Sequence, residues 1–157
     1  MNRQTPRALL RNSRPVDPRF HKDEKLFIRF SSISSDGKVD SSDIKCPNQS
    51  VNRGKYCAKP EWVLCHPEKD FSWWGHGWFK VAEIPRELRE EAQHTYHFRP
   101  HHDPEEQNYS HSVIAAHKDN PAAPSVDRVT PNTVKSKFKL LIREKIHVLK
   151  PPENPAQ

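Results

Sequence analysis

The sequence predicts a small α+β domain with a mixed or antiparallel sheet, two helices and long Pro-rich loops. Three observations predict it: short β-rich runs separated by turn residues, two segments with helix-start signals, and 15 prolines in 157 residues that confine regular structure to short stretches. The length allows one core, and an apolar content of 33% keeps that core small. Leu, Ile, Val and Phe supply 32 of the 157 residues, close to the ~20% below which highly charged chains stay disordered, so part of the chain reads as tail. No run approaches the ~18 apolar residues of a membrane-spanning helix.

Residues 1–24 combine Pro6, Pro15 and Pro18 with many arginines and almost no hydrophobic period, and read as a flexible basic arm. A single domain is expected over 25–150. It opens with Leu26-Phe27-Ile28-Arg29-Phe30, apolar on both sides of the alternation as in a strand buried between layers. Asp36-Gly37 marks a turn, Ser41-Ser42-Asp43 stays polar, and Pro60 opens a short helix through Glu61, Trp62, Val63 and Leu64. Trp78 to Ala82 suits a strand, and Ile84-Pro85 starts a charged helix running from Arg86 to about Gln93.

Thr95 to Phe98 and Ser112 to Ala116 read as two strands joined by a long polar loop, Pro100 to His111. A second loop from Asp119 to Thr130 holds Pro121 and Pro124. Thr130 as N-cap and Pro131 at the first helical position begin the last helix, whose Val134, Phe138 and Leu141 recur at i, i+4 and i+7. Ile146 to Leu149 form a last strand, and 151–157, with three prolines, a disordered tail.

The net charge of +6 is unevenly placed: residues 1–29 carry a local +5 and residues 132–157 a local +4, around a mildly acidic, His-rich centre. A nucleic acid would be met by those ends, the arm and the stripe Lys135, Lys139 and Arg143 at i, i+4 and i+8. Cys46, Cys57 and Cys65 are an odd number with no CxxC pair, which points to a reducing compartment and a cytoplasmic protein.

Two segments concentrate chemistry. Six of the ten histidines lie between His94 and His117, and His102, Asp103 and His111 are a candidate set of ligands for zinc or another divalent metal. The leading reading of that loop is a fold pinned by Asp103 and Asn108 side chains, with no cofactor, and the metal site is the alternative to it. Phe71 to Phe79 holds three of the four tryptophans, and an exposed Trp beside Gly is an anchor for a protein partner or a stacking platform for a base.

Arg29; Asp36, Gly37, Val39 and Ser41; Ser50, Val51 and Asn52; Pro60, Glu61 and Leu64; and His102, Asp103, Pro104, Asn108 and His111 together resemble the motif order of a group of small uncharacterised bacterial proteins. The likeness spans about 26–117 and implies a bacterial, cytosolic, single-domain protein with its site in the His102 to His111 loop. Arg29 followed by Ser50 is also similar to the Arg and Ser positions of ADP-ribosyltransferases, but Ser112 to Ala116 lacks the carboxylate that family carries on a later strand. The leading expectation is an accessory protein that binds a protein partner through Trp73, Trp74, His76, Arg29, Asn52, Asn108 and Tyr109. A metal-dependent hydrolase using His102, Asp103 and His111 is the alternative, and nucleic-acid binding by the basic ends the weaker one.

Overall fold

The computed structural model describes residues 5–153 apart from 91–92 and 125–129. Its frame is one sheet of seven strands, β1 (Lys25–Phe30), β2 (Asn48–Arg53), β3 (Gly75–Lys80), β4 (Glu87–Glu90), β5 (His94–His102), β6 (His111–Lys118) and β7 (His147–Lys150). They lie in the order β4-β5-β6-β2-β1-β3-β7, every neighbouring pair antiparallel. A single α-helix, α1 (Asn132–Lys145), stands among the described residues, with five 3-10 turns. This corrects the expected α+β domain with two helices: the protein is a sheet-dominated fold, a curled half-barrel.

The second expected helix, Arg86 to Gln93, is the edge strand β4, with 91–92 outside the described residues. Its Glu and Arg content mimics a helix surface. On an edge strand the same charges discourage pairing with a further chain, while Leu88 alone turns inward to the core. The polar strand β2 carries no apolar alternation to announce it, since Val51 is its only apolar residue.

Cross-strand partners share a face, and the register sorts the sheet into two. Leu26, Ile28 and Phe30 of β1, Phe79 of β3, Ile114 and Ala116 of β6 and Tyr96 and Phe98 of β5 form the main core. Helix α1 closes it with Val134, Phe138 and Ile142, the Phe138 ring stacked on Phe98 at 4.4 Å. The inward stripe therefore runs i, i+4, i+8, and Leu141, expected inside, is exposed. Pro131 takes the N-cap position expected of Thr130, whose residue is buried. The other face is half covered. Phe27 there meets Leu9, Cys57, Val63, Leu64 and Phe71, with Trp62, Trp74 and Trp78 packed at the margin.

Residues 5–24, read from sequence as an arm, lie against the body. Leu9 is buried in the second core, and Tyr109 donates a backbone bond to Leu9 O (2.6 Å) and a phenolic one to Pro15 O (2.6 Å). The buried Arg53 donates to the carbonyls of Asp17 (2.7 Å) and Arg19 (2.6 Å). Composition alone hides this because the segment docks largely through its own carbonyls and through charged side chains, Asp17 accepting from Lys55 Nζ and Tyr56 Oη and Glu24 from Arg53, with Leu9 and Phe20 as its apolar contacts.

Candidate functional site

The two central strands pair only at Leu26 with Arg53 and Phe27 with Asn52. Beyond those pairs, the residues on the half-covered face of β1 and β2 border an open cleft. Two adjoining cavities of about 360 and 380 Å³ occupy it, and both are lined by Arg29 of β1, Ser50 of β2 and His111 of β6. The first continues to Glu105, Glu106 and Gln107, and the second to Lys45, Lys69 and Trp74.

Arg29 is held in place from two sides. Its guanidinium donates to Val63 O (3.0 Å) and stacks over the Phe71 ring at 3.9 Å. Among the described residues no carboxylate lies within ion-pair distance of it. Burial lowers its pKa, and Glu105, acting across the cleft, raises it. Asp43 also borders the second cavity, but its oxygens accept from Ser31 Oγ (2.7 Å), Ser32 N (3.0 Å) and Ser32 Oγ (3.1 Å). The cationic groups of that cavity thus outnumber its uncommitted carboxylates.

The floor is a chain of amides. Asn108 Nδ2 donates to Asn52 Oδ1 (2.8 Å), Ser110 Oγ donates to Asn108 Oδ1 (2.6 Å), and Asn52 Nδ2 points at Cys57 Sγ (3.7 Å). Asn52 is buried beneath the cleft and Asn108 reaches its wall. The Cys57 thiol is pushed up to about 11 by burial, so it is a small hydrophobe and not a nucleophile.

His111 sits diagonally across from Ser50, because Asn52 pairs with His111 and Ser50 with Val113. The ring lies between two groups: Nδ1 is 2.8 Å from Asp103 O and Nε2 is 3.3 Å from Ser50 Oγ. A backbone carbonyl only accepts, so Nδ1 carries the proton and Nε2 accepts from the Ser50 hydroxyl. The carboxylates of Asp103 and Glu105 stand 3.5 and 3.7 Å from Nδ1.

The three expected metal ligands do not converge. His102 is buried, its Nδ1 accepting from Asp17 N (2.8 Å) and its Nε2 donating to Tyr109 O (2.6 Å), so neither nitrogen has a lone pair to offer an ion. Alternation along β5 explains the split: His102 points toward the arm while Asp103 follows it at the base of the cleft loop. No group of three or more His, Cys, Asp or Glu side chains among the described residues is arranged to hold a metal.

The other expected binding residues divide between wall and frame. Trp74 is half-buried, edge-on to Phe71 at 4.9 Å, and lines the second cavity. Trp73 is also half-buried, edge-on to Trp74 at 5.7 Å, and its carbonyl accepts from Glu153 N (2.7 Å). His76 is buried within β3, and Tyr109 is buried under Arg14 and against Tyr56 and His102. The basic stripe on α1 is interrupted, since Arg143 is spent on Val39 O (2.9 Å) and on both Asp36 oxygens (2.9 Å each). Lys38 and Glu144 pair beside it. Glu105 and the coupling of Ser50 to His111 were not singled out from sequence; Ser50 and Asn52, two apart, were the available signal that β2 points polar groups to one face.

No family model, no curated protein and no solved structure matches the chain. No helix among the described residues is long and apolar enough to cross a membrane.

Proposed function

We propose that the protein is a binding protein for a compact anionic ligand, seated in the cleft with its anionic group on Arg29 and its apolar part against Trp74. The observation that carries this reading is the Arg29 guanidinium, fixed by Val63 O and Phe71 yet lacking a carboxylate within ion-pair distance among the described residues. A half-buried cation with no counter-charge in contact, only Glu105 acting across the cleft, is a standing electrostatic demand that an anion satisfies with strong, charge-assisted hydrogen bonds. Lys45 and Lys69 at the same cavity add to the attraction, and the cleft has the size of a small-molecule site. The half-buried state of Trp73 and Trp74 leaves them less free surface for a protein partner than the sequence suggests. The three free cysteines are in keeping with a cytoplasmic setting.

The test is a titration of the full chain with succinate and with inorganic phosphate, read by tryptophan fluorescence. Saturable binding is expected, weakened by at least ~10-fold in Arg29→Gln, the scale of a lost charge-assisted hydrogen bond. Signals that are non-saturable, or equal in wild type and variant, would remove Arg29 as the anchor.

A further inference from the structure

Ser50, His111 and Asp103 form a chain that the binding of an anion does not require. Ser50 is exposed on the cleft wall, its Oγ 3.3 Å from His111 Nε2, and the opposite ring nitrogen is oriented by Asp103 O at 2.8 Å with the Asp103 carboxylate 3.5 Å away. The register makes the arrangement rigid. Ser50 and His111 are diagonal neighbours on paired strands, and Asp103 N donates to His111 O (3.0 Å), which ties the third member to the second through the backbone as well. A hydroxyl, a base that accepts from it and a group that fixes the base's tautomer are the three parts of an activated serine. We propose that Ser50 is a nucleophile for acyl transfer, activated by His111 and positioned by Asp103, and that its substrates are carboxylic esters bearing a second, anionic group.

The substrate class rests on the anion-binding reading given above. Ser50, His111 and Arg29 line both cavities, and the further cations Lys45 and Lys69 line the second alone, so the cationic side of the cleft is the side of that cavity. A compact ester with its anion on that side presents its carbonyl carbon at the Ser50 hydroxyl. Oγ then bonds to that carbon while its proton passes to His111 Nε2. The carbon–oxygen bond to the leaving alcohol breaks, His111 returns the proton to that alcohol, and the acyl group remains on Ser50. Water, deprotonated by His111 in the same way, cleaves the acyl-serine to the free acid and restores both side chains. The imidazolium formed in each half is stabilised by the carboxylates of Asp103 and Glu105.

Fluorophosphonate-biotin is the probe for the serine, since it reacts with an activated hydroxyl without needing the anionic group. Treatment of the full chain and peptide mapping by mass spectrometry are expected to place one adduct on Ser50. It should be absent in Ser50→Ala and form at least ~100-fold more slowly in His111→Gln, the usual span for loss of a general base. Mono-4-nitrophenyl succinate is expected to be hydrolysed faster than 4-nitrophenyl acetate, with that preference lost in Arg29→Gln. Absence of the Ser50 adduct in wild type, or equal labelling of wild type and His111→Gln with unchanged melting temperatures, overturns the proposal even where succinate still binds. Labelling of Ser50 that depends on His111 without preference for the anionic ester sustains the nucleophile and refutes the anionic substrate class.

Discussion

The Arg53 guanidinium meets the Glu24 carboxylate in a two-point ion pair, Nε to Oε2 at 2.9 Å and Nη2 to Oε1 at 3.0 Å, with Arg53 wholly shielded from water. Its face covers the Phe20 ring at 3.9 Å. The pair joins the last residues of the N-terminal segment to the end of β2, one strand position beyond the cleft floor. Glu24→Gln removes the two-point partner and leaves the buried cation only the longer contact to Asp17 Oδ2 (3.8 Å), and a loss of about 3–5 kcal/mol in urea unfolding is expected. A loss below ~1 kcal/mol would show that water reaches Arg53 in the variant.

Removal of residues 1–24 should be far more damaging than their composition suggests. Besides Arg53, it strips partners from Tyr109 and His102, and it removes the Glu106 carbonyl's bond from Arg11 N (2.9 Å), which steadies the cleft loop. A chain starting at Lys25 is expected to melt at a markedly lower temperature, or not to fold, in a thermal scan. An unchanged melting temperature would mean that these contacts contribute nothing net.

Acid should loosen the same junction. Burial lowers the His102 pKa below its ordinary value, the Tyr109 carbonyl opposing in part. A histidine lowered in the fold binds fewer protons there than in the unfolded chain, so its contribution is present above the unfolded pKa of about 6.5 and is lost as pH falls below it. Protonation at Nδ1 also abolishes the bond accepted from Asp17 N. Stability is expected to decline between pH 7 and 5 in wild type, and to decline less in His102→Phe. Parallel pH profiles would exclude His102 as the titrating group.

Two neighbouring positions on α1 should respond very unequally to truncation. Ile142 is fully buried and Leu141 is 40% exposed. Ile142→Ala is expected to cost about 2–5 kcal/mol by leaving a cavity beneath the helix, and Leu141→Ala to stay within ~0.5 kcal/mol. Chemical denaturation of the two variants separates them, and equal losses would mean that the helix is rotated from the orientation described.

The sequence by itself determined the elements whose chemistry is local. Leu26 to Phe30 is apolar on both faces and forms a central strand; Pro60 opens a 3-10 turn through Leu64; Val134 and Phe138 mark the inward side of α1. The tertiary structure decided the rest. Glu87–Glu90 is a strand because β5 offers it a ladder and only Leu88 has to be buried, which no period can reveal. Strand β2 was illegible because one side of it faces a cleft and the other gives the core Val51 alone, between the buried polar side chains of Gln49 and Arg53, so no apolar alternation arises. The likeness of His102, Asp103 and His111 to a ligand set dissolves for a similar reason: alternation sends His102 to the arm, whereas pairing of β2 with β6 brings His111 to Ser50, 61 residues away in the chain. Residue types announce which groups are able to do chemistry, but strand register chooses which of them meet, and register is set by the burial of other residues.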